Sequence, residues 1–287
     1  MVSFLIPTYN YDITELLLNI IECCKHSACD YEVLAYDDAS PKKRYHRVND
    51  FLNGLDNVTY KVLDTNIGRS AIRNLLANDA KGEYLCFIDC DCIPKQKDFL
   101  DKYLLNIQNS DVVCGGTKYK NIEEIEPKYY LHHKNGTKRE EGQQHFTTDN
   151  FFIRKDVFFD VCFDENIKGY GHEDTVFGLE LRHKGFKIKN IDNPVYHFGL
   201  KDTEKFLYDT YNSQRNLRQL YDNPQYAPLI SDCAVIKAYN KLNKYHMTHI
   251  YHAIITLLTP LIKRQLHTTR PYLHLLDLYK LNIFINP

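Results

Sequence analysis

Two aspartates one residue apart, Asp89 and Asp91, close the stretch GEYLCFIDCDCIP that runs from Gly82 to Pro94. Carboxylates gathered at one spot can hold a hard divalent cation that also accepts phosphate oxygens. By itself a D-x-D pair is better explained as the cap of a turn, so the weight falls on what surrounds it. Tyr84-Leu85-Cys86-Phe87-Ile88 is a short apolar run bounded by turn signals, the pattern of a strand buried on both faces. In open α/β sheets the ligand crevice lies at the carboxyl ends of the strands, where these two acids fall.

The segments that must position the pair precede it in order. Val2 to Ile6 reads as a first strand, followed by a helix with Asp12 and Glu15 in capping-box spacing. Tyr31 to Tyr36 and Val58 to Leu63 read as two more strands. Ser40-Pro41 is expected to start the helix between them, and Asn66-Ile67-Gly68-Arg69 to open the next. Strand and helix alternate, which implies a mostly parallel sheet flanked by helices. Each of the four strands ends in a polar cluster: Thr8-Tyr9-Asn10, Asp37-Asp38, Asn66 with Arg69, and Asp89 with Asp91. A parallel sheet carries these to one edge. A phenol ring, acids, an amide and the guanidinium groups of Arg69 and Arg73 suit the base, ribose and phosphates of a nucleotide.

VSFLIPTYN, EVLAYDDAS, NIGRSAIRN, GEYLCFIDCDC and the later GYGHEDTVFGLEL, in this order, resemble the family 2 glycosyltransferases of GT-A fold. The last motif is most similar to the chondroitin-polymerase-type subgroup. The resemblance spans about residues 2–199. It implies a donor site in which Pro7 and Tyr9 border the nucleoside and Asp38, with Asp37, meets the uracil or ribose. Asn66, Arg69 and Arg73 would lie near base and phosphates, and Asp89 would contact ribose or sugar. Asp91 would be the direct metal ligand for Mn²⁺ or Mg²⁺ on the diphosphate of a UDP-sugar, and His197 of Val195-Tyr196-His197-Phe198-Gly199 a second. Ala39 stands where the family commonly has glycine.

The same resemblance assigns the acceptor half. Asn150, Gly171 and His172 would lie on the acceptor and sugar side. Asp174 would be the base that takes a proton from the acceptor hydroxyl, with Glu173 positioning it; the plainer account of both acids is dipole stabilisation at a helix start. Residues 121–144 read as an exposed polar excursion with a turn at Lys134-Asn135-Gly136-Thr137-Lys138.

The chain divides, on this reading, into a catalytic domain at 1–200, with a nucleotide-binding half at 1–114 and an acceptor and metal half at 115–200. A helical extension follows at 201–287. In the helix expected over 246–263, Met247, Ile250, Tyr251, Ile254, Leu258 and Leu261 share one side, and Pro260 should kink or end it. Packing on the catalytic domain is the first expectation for this helix; peripheral contact with an anionic membrane is the second. From Cys233 onward five Lys and two Arg stand against one acid, so this part carries +6 and the rest −7 of the net −1.

Composition narrows the classes. A net charge of −1 argues against coating nucleic acid. The longest apolar run, Ala253 to Ile262, is too short to span a bilayer. Met1 leads straight into a strand, so no secretory leader is expected, and nine scattered cysteines read as cytosolic thiols. The cytoplasm, or the inner face of its membrane, is the expected location. No Gly-rich loop follows the first strand, which disfavours nucleotidyltransferases and NAD-dependent enzymes. A metal-dependent, inverting transferase acting on a glycan or lipid-linked acceptor is the leading expectation. A catalytically silent nucleotide-sugar-binding subunit is the alternative.

Overall fold

The computed structural model describes residues 1–141 and 146–287; the last three residues of the polar excursion, 142–144, lie outside them. The chain divides into two compact units. The first comprises residues 1–119, 140–166 and 180–199, the second 120–139, 167–179 and 200–287.

The first unit carries a seven-stranded sheet. Four parallel strands, β1 (Val2–Thr8), β2 (Tyr31–Asp37), β3 (Val58–Val62) and β4 (Tyr84–Ile88), alternate with α1 (Thr14–Lys25), α2 (Lys43–Asp50) and α3 (Arg69–Asp79). After β4 come β5 (Cys92–Pro94), α4 (Phe99–Ile107), β6 (Val112–Cys114) and β7 (Thr117–Lys118). In the second unit lies α5 (Tyr130–Arg139); β8 (Asn150–Arg154) and α6 (Lys155–Val161) return to the first. α7 (Glu173–His183) precedes β9 (Ile188–Asn190) and β10 (Val195–His197). The sheet order is β3-β2-β1-β4-β8-β6-β9, with β8 antiparallel to both neighbours. A second sheet, β5-β10-β7, stands beside the end of β4.

The sheet is mixed but mostly parallel, and the four carboxyl ends that bear the polar clusters share one edge. Phe4, Ile6, Val33, Cys86 and Ile88 meet Leu17 and Ile20 of α1 and Tyr103 of α4 in one core, all almost fully buried. Phe87 of β4 stacks on Phe151 of β8 at 4.7 Å and on Phe158 of α6 at 5.3 Å.

Two helix starts differ from expectation. Asp12 forms a local turn, its Oδ1 accepting from the Thr14 amide, and Glu15 does not close a capping box. Ser40 does not cap α2, which begins at Lys43; its hydroxyl donates to Asp37 and accepts from the Asn10 amide instead. The apparent turn at residues 134–138 lies inside α5, because Leu131, His132, Asn135 and Gly136 are buried in packing that outweighs the local breaker signal.

The second unit is helical, built from α5, α8 (Thr203–Asp222), α9 (Ala234–Lys244), α10 (Thr248–Leu266) and α11 (Leu273–Ile285). Asp202 caps α8 by accepting the Lys205 amide. One core joins Leu131, Leu207, Ile255, Ile262, Leu276 and Ile283. A second joins Val176, Leu217, Ile230, Ile236 and Phe284. This packing is why residues 120–139 and 167–179 group with the C-terminal helices, where a single boundary at 200 was expected. α10 runs through Pro260 for a further turn and a half.

Candidate active site

Asp91 and His197 are brought together by strand pairing. β5 and β10 run antiparallel with Cys92 opposite His197, and the Phe198 amide donates to the Asp91 carbonyl at 2.8 Å. His197 Nε2 and Asp91 Oδ2 stand 3.5 Å apart, both side chains partly accessible. Adjacent ligands around a small divalent ion lie roughly 3 Å apart, so carboxylate and imidazole are spaced as two ligands of one ion. Gly199 completes the pocket: a Cβ there would lie 1.8 Å from Asp91 Oδ2. The glycine of V-x-H-x-G is therefore what gives the Asp91 carboxylate its place.

Cys92 Sγ lies 3.7 Å from Asp91 Oδ1, and its ligand atom falls in the same cluster as those of Asp91 and His197. Burial first, then Asp91, Asp149 and Asp89, push the thiol well above its ordinary range. Burial and the neighbouring carboxylates push the Cys90 thiol up likewise.

The donor-side residues fall into two groups. Tyr9, Asn66 and Arg69 are exposed at the sheet edge, and Pro7 is half-buried in β1. The others hold that edge in shape. Asp37 is fully buried, its carboxylate accepting the Ser40 amide and hydroxyl and the Tyr60 hydroxyl. It holds the turn after β2, where a contact with ribose or uracil was expected. Asp38 accepts the amides of Ile67 at 2.7 Å and Gly68 at 3.0 Å, and its carbonyl accepts from Asn66 Nδ2. Asp38 thus folds the 66–68 turn that delivers Arg69. Ala39, between turn and acid, takes a φ of +55°, the left-handed region where glycine is favoured.

Arg73, expected near the phosphates, is 2 % exposed, and its Nη2 donates to Asp89 Oδ1 at 2.7 Å. Its guanidinium also lies over the Phe163 ring at 5.5 Å. Arg73 is a buried counter-charge for Asp89, and this separates the two acids: Asp89 is balanced from within, while Asp91 faces His197.

Asn150 also bonds inward. It is fully buried, accepting from Tyr103 and donating to the carbonyls of Gly116 and Asn193, so it braces the core where a sugar contact was expected. Its neighbour Asp149 has the titrating role. Burial pushes Asp149 up to about 6, against hydrogen bonds from Thr117 and Thr147 and with help from Asp89 and Glu140. In the run Thr147-Thr148-Asp149-Asn150, Asp149 lies just before the first residue of β8.

In the second unit, Gly171 and His172 hold the start of α7. Both have positive φ, +98° and +76°. His172 Nε2 lies 3.0 Å from Ser213 Oγ of α8, and burial lowers its pKa to about 4. Glu173 is 4 % exposed and Asp174 half-buried, so exposure distinguishes the two acids. Asp174 Oδ1 accepts the Thr175 amide at 2.6 Å, the dipole-favoured arrangement at a helix start.

Tyr11 was missed by the sequence reading. Burial and then Asp91 push its phenol above the ordinary range, which places a neutral hydroxyl in the field of that carboxylate. Only its position after P-T-Y-N marks it in the sequence.

A mostly parallel sheet with an acidic pair at the end of β4 and a small second sheet beside it defines a GT-A glycosyltransferase fold. The chain belongs to glycosyl transferase family 2, whose profile matches residues 3–163. It is 27 % identical over 237 residues to the chondroitin synthase of Escherichia coli, covering 68 % of this chain and 34 % of that protein. It is 26 % identical over 230 residues to the poly(ribitol-phosphate) β-N-acetylglucosaminyltransferase TarS of Staphylococcus aureus, covering 76 % of this chain and 39 % of that protein. The chain thus spans little more than a third of either. In fold it matches a crystal structure of S. aureus TarS 1-349 in complex with UDP, with a TM-score of 0.53 and 21 % identity over 88 % of this chain and 74 % of that one. It also matches the mannosyltransferase PcManGT of Pyrobaculum calidifontis in complex with GDP-Man and Mn²⁺, at a TM-score of 0.59 and 15 % identity over 83 % and 69 %.

Proposed function

We propose that this chain transfers a sugar from a UDP-sugar to a hydroxyl of a glycan or lipid-linked acceptor in polysaccharide assembly, with inversion at the anomeric carbon. The observation that carries the reading is the Asp91–His197 pair, ligand-spaced and cleared by Gly199. These two residues would hold Mn²⁺ or Mg²⁺, which when bound supplies positive charge to the departing diphosphate. Tyr9 and Pro7 border the base, Arg69 reaches the phosphates, and Asp89, steadied by Arg73, contacts the ribose or sugar. Asp174 accepts the proton of the attacking hydroxyl; Glu173 is a positioning residue beside it. Nine free cysteines support a reducing, cytoplasmic setting. No helix among the described residues is long and apolar enough to cross a membrane.

A screen of UDP- and GDP-sugars with Mn²⁺, reading nucleotide release and product, tests this. Turnover should require the ion and select UDP. Asp91→Ala should lower it by about 10³-fold, the scale of losing a principal electrostatic element. Undiminished turnover in chelator, or by the alanine variant, would falsify the assignment.

A further inference from the structure

α10 has two apolar stripes, and the second unit covers only one. Ile255, Ile262 and Leu266 are buried against the neighbouring helices, with Tyr251 beside them. Met247, Ile250, Ile254, Leu257, Leu258 and Leu261 form the other stripe, 39–80 % exposed, with Leu257 the most exposed at 80 %. At 100° per residue these six fall within about 100° of arc, a single face some 21 Å long. This is the side the sequence marks as apolar, yet it is not the side the fold buries.

The segment that contains the stripe carries charge of one sign. No acid occurs between Cys233 and Leu276, whereas six cations do. Lys241, Lys244, Lys263, Arg264 and Arg270 are exposed, and none has an acidic side chain within ion-pair distance among the described residues. Arg264 flanks the stripe at its C-terminal end. Arg270 lines a cavity of about 400 Å³, walled also by Ile122, Tyr130, Lys134 and Lys138, so the basic character continues past the helix.

We propose that the outer face of α10 docks on an anionic phospholipid membrane, lying in the interface with its leucines and isoleucines among the acyl chains and its cations at the headgroups. A strong apolar stripe, basic flanks and no acid are what an interfacial helix requires. The helix is not apolar enough all round to span the bilayer. Pairing this face with a second copy would bring two acid-free basic segments together, which charge repulsion opposes. This proposal stands independently of the transferase reading.

The test is sedimentation of the full chain with phosphatidylcholine vesicles, with and without phosphatidylglycerol, at low and high salt. Pelleting should require the anionic lipid and weaken with salt. Leu257→Asp with Leu261→Asp should reduce binding by at least about tenfold. Lys244→Gln and Arg264→Gln should each reduce it by roughly fivefold. All four positions are exposed, so an unchanged melting temperature is the control for folding. Equal recovery in the supernatant with and without anionic lipid would overturn the proposal, as would wild-type pelleting by the double aspartate variant. A dimer in light scattering that Leu257→Asp dissociates, without vesicle binding, would assign the face to a second copy instead.

Discussion

The metal-side pair and the acid pair of α7 are positioned by opposite means. Asp91 and His197 project from a strand ladder whose backbone bonds hold their register whatever the side chains are. Glu173 and Asp174 follow two residues of positive φ, held against Ser213 of α8. In the first region side-chain chemistry and backbone stability are separable. In the second they are one problem, because left-handed backbone is costly outside glycine and persists only when its surroundings hold it.

Glycine substitutions expose this contrast most sharply. Gly199→Ala sets a methyl where the Asp91 carboxylate lies, and that side chain is only partly buried and can turn aside. Metal-dependent turnover should fall about 100-fold, the scale of a displaced ligand. The melting temperature should stay within a degree or two of wild type, a shift of the size expected for a small stability change. Parallel loss of stability and activity in calorimetry and kinetics would show that the ladder does not insulate the site.

Gly171→Ala should show the reverse order of effects. Its Cβ would lie 2.7 Å from Ser213 Oγ, at a φ of +98°. Denaturant titration should register a loss of about 1–3 kcal/mol, as expected for a strained backbone position. Adding Ser213→Gly removes the two closest atoms but leaves the Cα at 3.3 Å, the backbone cost and a glycine inside α8, so it should recover only part of the loss. Full recovery would assign the whole effect to sterics.

The same contrast explains what could be read in the chain. The edge of polar clusters was legible because apolar runs and parallel connectivity leave little choice about where strand ends go. The D-x-D stretch appears as β4 followed by a turn, and the β1–β4 alternation stands as read. What the sequence could not reveal is which polar side chains at that edge are spent internally. Asp37, Asp38 and Arg73 carry the residue types of ligand contacts, but their partners, Ser40, the Ile67 and Gly68 amides, and Asp89, are set by tertiary geometry. Asn150 and Asp149 are adjacent, and only tertiary packing turns the first into core bonds with Tyr103, Gly116 and Asn193. α10 presents a subtler failure: its apolar pattern is wide enough for two faces, and periodicity cannot say which one meets α11.

The last expected effect is a pair of opposed pH slopes, one from each region. His172 is lowered by burial to about 4, below its ordinary 6.5, so between those values the unfolded chain binds more protons than the folded one. Its contribution to stability is complete above 6.5 and is lost as pH falls through about 4. Asp149 is raised by burial to about 6 from 3.8, so the folded chain binds more protons there, and stability is lost as pH rises from 3.8 to about 6. Each slope is at most about 1.4 kcal/mol per pH unit. His172→Asn, which tolerates positive φ, should gain on wild type as pH falls from 6.5 toward 4. Asp149→Asn should gain on wild type as pH rises from 4 to 6. Melting curves in chelator across this range should therefore give two difference plots of opposite slope. Parallel plots would mean that burial does not set the two groups apart, and that the positive-φ turn around His172 opens before the imidazole titrates.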